Sequence, residues 1–368
     1  MPLKVSSRLA FALCSGMMMA ICCLSLRLLI AAPAQAEQSP LTVDMTTMPA
    51  AEAIRPDTDL VRMTLAIRQH GQPLNHAYLQ VKVTAPARST ILSTDFPVVE
   101  GTHLLSFASL IRDGTLTFDY LFPIRGTYTF DLTVTPDPKN PEVPPATLRK
   151  TLHVRENPAE VRNAWLLVSG LFIFGGISGV FLARSAAARQ HTALAVVLAI
   201  LLEGVLGPEE VVAATLQTPQ TPPAWSLEVH PTPERATVGE PVQLAIVLKK
   251  DEKIFAAPMQ VSIDIHHLED NKAVFRTQAI SPDGATSLRF QFFDGAPHAV
   301  TVTARPVDGM AFVADVPPLR AVLDMQVTAV HPPVGVQLRL MAILIGVVVV
   351  GIMVGGFLLP TVKERRRA

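Results

Sequence analysis

The sequence predicts a mainly β protein: two tandem β-sandwich domains joined by a transmembrane helical hairpin, plus a C-terminal transmembrane helix. Three observations predict it. Two long regions are filled with short segments that alternate apolar and polar residues. Uncharged apolar runs interrupt those regions. The second alternating region repeats the first.

The membrane segments come first because they fix the plan. Residues 164–183 form an apolar run with no charged side chain. At about 1.5 Å per helical residue, such a run covers the roughly 30 Å hydrocarbon core. A helix also satisfies its own backbone amides, which lipid cannot do. Trp165 sits at one end, where an amphipathic ring belongs. Arg184 and Arg189 follow. A second run, 192–206, is shorter and contains Glu203; the segment 192–213 is expected to cross back or to act as an internal signal-like segment. A third run, 340–359, is uncharged and leads into Lys363-Glu364-Arg365-Arg366-Arg367, so residues 360–368 read as a basic cytoplasmic tail.

Residues 1–36 read as a signal peptide. Lys4 and Arg8 precede an apolar core, and Ala34-Gln35-Ala36 offers small residues for cleavage. All three cysteines, Cys14, Cys22 and Cys23, lie in that segment, so the mature chain is expected to lack thiol chemistry. None has Leu three residues before it, which argues against a lipoprotein signal. Formal net charge is zero, and no basic excess points to nucleic acid.

Residues 37–158 are expected to form the first domain. Segments 60–69, 77–85, 116–122, 127–135 and 147–154 read as strands. Leu116, Phe118, Tyr120 and Phe122 share one face, as do Tyr128, Phe130, Leu132 and Val134. Residues 217–333 are expected to form the second domain, with strands at 242–250, 259–267, 273–280, 286–293, 298–306 and 320–330. Setting Asp113-Gly114 on Asp283-Gly284 brings Phe118 to Leu288, Tyr120 to Phe290 and Phe130 to Val300. Leu65-Ala66-Ile67 then matches Leu244-Ala245-Ile246, and Gln80-Val81 matches Gln260-Val261. Repetition of core positions with drift between them is the mark of one unit used twice.

The stretch LTFDYLFPIRGTYTFDLTVTP, 116–136, resembles bacterial YtkA-like and FixH-type periplasmic domains. The second region keeps the alternation, with Ala296-Pro297-His298 in place of Gly126-Thr127-Tyr128. The resemblance implies an immunoglobulin-like sandwich in each domain and an exported accessory role, in some relatives tied to cation handling or oxidase assembly. It carries over no catalytic residue.

Several side chains are candidates for chemistry. His266 and His267 with Asp264 would suit a divalent transition ion, and Glu269 and Asp270 follow. Neighbouring strand residues point to opposite faces, which opposes joint ligation. Met45, Met48 and Met63 are soft donors that could serve Cu(I), but core filling is the plainer reading. His298 aligns with Tyr128 and reads as structural. Glu203 is an ionisable group within a membrane run, either functional or interfacial. Gly175 and Gly179, and Gly351 and Gly355, are spaced to let helices pack closely, either together or in a homodimer.

No nucleophile elbow, P-loop, dinucleotide fingerprint or H-E-x-x-H is present, and no enzyme or cofactor is expected. The expected role is a membrane-anchored extracytoplasmic binding or scaffold protein with a protein partner in a membrane complex. The alternative is a copper-handling accessory protein. The expected location is a bacterial cytoplasmic membrane with both β domains outside.

Overall fold

Alternation becomes burial. Along one strand Tyr128, Phe130, Leu132 and Val134 are all closed off from solvent, while the residues between them are half-buried. A computed structural model describes residues 41–89, 93–136, 145–185, 225–307 and 318–358. The first half contributes β1 (Leu41–Met48), β2 (Leu60–Gln69), β3 (Gln72–Pro73), β4 (Ala77–Thr84), β5 (His103–Ile111), β6 (Thr115–Leu121), β7 (Gly126–Pro136) and β8 (Ala146–Val154). Helix α1 (Pro158–Ser185) follows. The second half contributes β9 (Trp225–Thr232), β10 (Ala236–Thr237), β11 (Pro241–Lys250), β12 (Lys253–Ile254), β13 (Met259–His267), β14 (Lys272–Ser281), β15 (Ala285–Gln291), β16 (Pro297–Pro306) and β17 (Leu319–Thr328). Helix α2 (Val334–Met353) closes the order and runs into a π-turn, Val354–Leu358.

The strands form two sheets, and neither sheet belongs to one half. One runs β1-β2-β6-β14-β13-β16-β17-β10, with β3 on β2. The other runs β12-β11-β15-β5-β4-β7-β8, with β9 on β11. They face each other across one hydrophobic core that draws on both halves. The halves therefore meet at two antiparallel seams. At β6–β14, Phe118 pairs with Thr277, Asp119 with Arg276 and Tyr120 with Phe275. At β15–β5, Leu288 pairs with Phe107, Arg289 with Ser106 and Phe290 with Leu105. A shift of about 170 positions, as in the sequence repeat, turns one register into the other. The contact is the isologous kind made by two-fold dimers, here within one chain. Aromatic rings fill it: Phe107 lies 5.4 Å from Phe118 and 5.8 Å from Phe275, and Phe275 lies 5.9 Å from Phe290.

The repeat reaches into the turns. Gly114 and Gly284 both adopt positive φ, 65° and 75°. Their carbonyls accept from Ile67 N at 2.7 Å and Leu248 N at 2.9 Å. A side chain at Gly114 would be strained by its backbone and would also press within 3.0 Å of Pro73 Cα.

Strand pairing corrects two of the sequence matches. Leu65 opposes Leu116 and Ile246 opposes Thr286, so Leu65 is the counterpart of Ile246, not of Leu244. Likewise Val81 opposes Leu132 and Ile263 opposes Val302, so Val81 matches Ile263 and not Val261. Each slip is two residues. A slip of two keeps every side chain on its face, so alternation alone cannot detect it. Six strands escaped the sequence reading: β1, β5 and β9, and the two-residue strands β3, β10 and β12.

Two outcomes are expected of this arrangement. If a protease site is inserted after Thr218 and the purified chain is cut there, the fragments should remain one particle by size exclusion, because two seams and a shared core hold them. Phe275→Ala should destabilise the chain by about 3–5 kcal/mol, the usual cost of emptying a buried aromatic site, measured by denaturant melts in detergent.

Candidate functional site

The glycine spacing acts within the chain. Helix α1 and helix α2 leave the β region side by side and in the same direction, with Phe172 and Gly175 against Gly351, and Gly179 against Ile352 and Gly356. A Cβ on Gly175 would lie 3.2 Å from Gly351 Cα, and one on Gly351 would lie 3.1 Å from Gly175 Cα. Gly355 packs on Gly176. Only glycine lets the two backbones approach this closely. The spans Pro158–Ala183 and Val334–Gly356, with mean hydropathy 2.2 and 2.5, are long and apolar enough to cross a membrane. Trp165, Leu166, Phe174 and Phe181 face outward from the pair. The partner expected for the first run was the 192–213 segment. That segment and Glu203 lie outside the described residues, as do residues 1–36 and the tail; the described contact joins the first run to the third.

The histidine candidates do not converge. His267 is buried and His266 is half-buried on the other face of β13. Asp264 Oδ2 accepts from Arg276 Nε at 3.1 Å. His267 Nδ1 accepts from Asp270 N at 3.1 Å, so its ring proton lies on Nε2 and is donated to Asp294 Oδ2, also at 3.1 Å. Among the described residues, no group of three or more His, Cys, Asp or Glu side chains is placed to hold a metal ion. Met63 is closed inside the core while Met48 is exposed.

His267 also meets His298, ring to ring at 4.9 Å and nearly perpendicular. His298 Nδ1 donates to Ala296 O at 2.8 Å. In the first half, the Tyr128 hydroxyl donates to Ile124 O at 2.5 Å and accepts from Ile124 N at 3.0 Å. Phe122 meets Tyr128 edge to face at 4.7 Å, and Phe292 meets His298 in the same way at 4.8 Å. The two halves thus pin the same turn with different polar rings. Nearby, Lys272 bridges the halves: its Nζ lies 3.0 Å from Asp57 Oδ1 and 2.9 Å from Asp270 Oδ2.

Sequence reading missed Glu100. It is buried, and its Oε1 accepts from Ser93 Oγ at 2.9 Å, Thr94 N at 2.7 Å and Thr94 Oγ1 at 2.9 Å. It lines a cleft with Arg125, Thr127, His153, Arg155 and Glu156. The available signal was a mismatch of the repeats: residues 85–102 join β4 to β5, whereas 268–271 suffice between β13 and β14.

No protein-family model matches this chain, and no curated protein matches it. Among solved structures, a conjugative transposon lipoprotein from Bacteroides eggerthii aligns at 12% identity over 28% of this chain and 96% of its own, with a TM-score of 0.20. A lipoprotein from Bacteroides thetaiotaomicron aligns at 14% identity over 30% of this chain and 85% of its own, with a TM-score of 0.20. The Yersinia pseudotuberculosis adhesin InvE aligns at 11% identity over 79% of this chain and 61% of its own, with a TM-score of 0.19. Similarity at this level carries no functional argument.

Burial pushes His298 down to about 4 from its ordinary 6.5, against the opposing hydrogen bond to Ala296 O. The fold therefore favours the neutral ring. Its contribution is complete above about pH 6.5 and is lost as pH falls toward 4, because the unfolded chain takes the proton first. That window is worth up to about 3 kcal/mol. His298→Phe should flatten this part of the stability-against-pH curve, measured by thermal melts between pH 7 and 4.

Proposed function

We infer that this chain is a membrane-anchored scaffold or binding protein, accessory to a membrane assembly, with both halves of its β region outside the cytoplasm. One observation carries the reading: two halves share both sheets and stand on a parallel, glycine-packed helix pair. Such a body is stiff, is held to the bilayer at two points, and suits presentation of sheet edges and loops to a partner. Each half is read as an immunoglobulin-like unit. In support, Tyr128 opens β7 and bonds back to Ile124, in the manner of the tyrosine corner of such domains. The likeness of 116–136 to YtkA-like and FixH-type domains belongs to the same reading.

Chain direction supports the topology. Both helices run away from the sheets, yet β9 lies back in a sheet after α1. If α1 spans the bilayer, the connection must return, and the apolar run 192–206 supplies a crossing. Arg184, Arg189 and the 360–368 tail then stay inside. Since Gly175 and Gly351 are engaged within one chain, a homodimer would need another surface. The copper-handling alternative gains no support, because Asp264 and His267 are each committed to protein partners.

Affinity purification from detergent-solubilised membranes should recover a stoichiometric membrane partner; recovery of the chain alone counts against the scaffold reading. A reporter placed after Arg189 should face the cytoplasm and one after Pro222 should face outward.

A further inference from the structure

The helix pair carries an open groove as well as a closed contact. Gly175 of α1 packs on Gly351 of α2. On the β-region side of that contact, the pair leaves a groove of about 670 Å³. Phe172 and Ile173 line it from α1, and Ile343, Val347 and Val350 from α2. Ser169 and Gly346 also line it, and Trp165 stands at its rim. A Cβ built on Gly346 would meet no atom within 4 Å, so no described residue fills the space beside it.

The groove ends in charge. On a helix, positions three, four and seven apart share a face. Arg162 precedes Trp165 by three residues and Ser169 by seven. Arg339 precedes Ile343 by four and Gly346 by seven. Both arginines are exposed and continue the groove-lining faces beyond its β-region end. They are nearly level, since Arg162 is thirteen residues before Gly175 and Arg339 twelve before Gly351. A guanidinium offers five N–H donors in a fork suited to phosphate, so either can meet one whatever else it touches.

Depth narrows the choice of occupant. On α1 the lining runs over 165–173. At about 1.5 Å per residue this is about 13 Å, close to half of the roughly 30 Å hydrocarbon core. Arg162 lies two residues before the apolar run 164–183, and Arg339 one residue before the run 340–359. Both therefore stand within about 3 Å of the hydrocarbon, inside a polar layer that extends roughly 5–7 Å beyond it. A spanning helix would lean on a groove of full membrane depth, whereas this one stops at the glycine contact. An apolar trough one leaflet deep, under two cations in the phosphate layer, matches a single lipid molecule. Two cations also select among lipids, because a headgroup with its own ammonium would set that charge beside a guanidinium. We propose that the groove binds an anionic phospholipid of the outer leaflet, with an acyl chain along Phe172 and Ile343 and its phosphate between Arg162 and Arg339. This rests on the reading that α1 and α2 cross the bilayer with the β region outside.

Native mass spectrometry of the full chain, released from detergent with phosphatidylglycerol or phosphatidylethanolamine of matched acyl chains, tests it. Phosphatidylglycerol should bind at least tenfold more tightly. Arg162→Gln and Arg339→Gln together should abolish that preference. Gly346→Phe fills the groove from a position with room for a side chain, and should weaken phosphatidylglycerol binding at least tenfold. Gly170→Phe is the control: a Cβ there also meets nothing within 4 Å, but Gly170 does not line the groove, so binding should be unchanged. Equal binding of the two lipids, undiminished binding in Gly346→Phe, or equal weakening by Gly170→Phe would overturn the proposal. So would failure of either lipid to bind, the result expected if the run 192–213 or a second copy of the chain occupies the groove. The reporters after Arg189 and Pro222 read orientation independently, so loss of the lipid preference with both reporters placed as expected falls on the groove alone.

Discussion

The structure depends on strand pairing across the two halves. Each β half has an open sheet side, and an open side is a liability unless something covers it. Here each half covers the other. The pairs Phe118–Thr277 and Leu288–Phe107 are the same contact made twice, and the rings of Phe107, Phe118, Phe275 and Phe290 fill the space between them. Because both sheets run through, bending one half against the other would break hydrogen bonds in two places at once.

That constraint sets the helix geometry. The strands β8 and β17 end in the two halves at corresponding positions, so α1 and α2 start together and run in parallel. Glycine at 175, 176, 351 and 355 then lets them stay together where lipid would otherwise separate them. In lipid this contact gains nothing from the hydrophobic effect. Close backbone packing must supply it, and bulky residues would forbid it.

Symmetry also makes departures from it informative. Where the first half uses Tyr128, the second uses His298, and a turn pinned by a phenol becomes one pinned by an imidazole set edge-on to His267. Where the second half turns tightly at 268–271, the first grows the loop that fixes Glu100. Lys272 bonds Asp57 at one junction, while Gln291 Nε2 donates to Thr102 Oγ1 at 2.8 Å at the other. A fold duplicated in one chain frees each copy to change on its own, and these polar substitutions are where the copies have done so.

Most of the strands were legible because a half-buried strand must alternate. Segments 60–69 and 259–267 coincide with β2 and β13 residue for residue. The strand β5 was not read, because Leu104 and Leu105 break the alternation at its start. The helix glycines were legible as spacing, but spacing left open which helices they join. Sequence alone determined the apolar spans, the duplication and the face of each strand it revealed, since these follow from local periods of 2 and from hydropathy. Only the tertiary structure decided that each sheet is shared, that the segments around Leu65 and Val81 align two residues away from their sequence matches, and that Glu100 is held with one oxygen unpaired among the described residues. Those facts depend on contacts between residues far apart in the chain, and no local period encodes them.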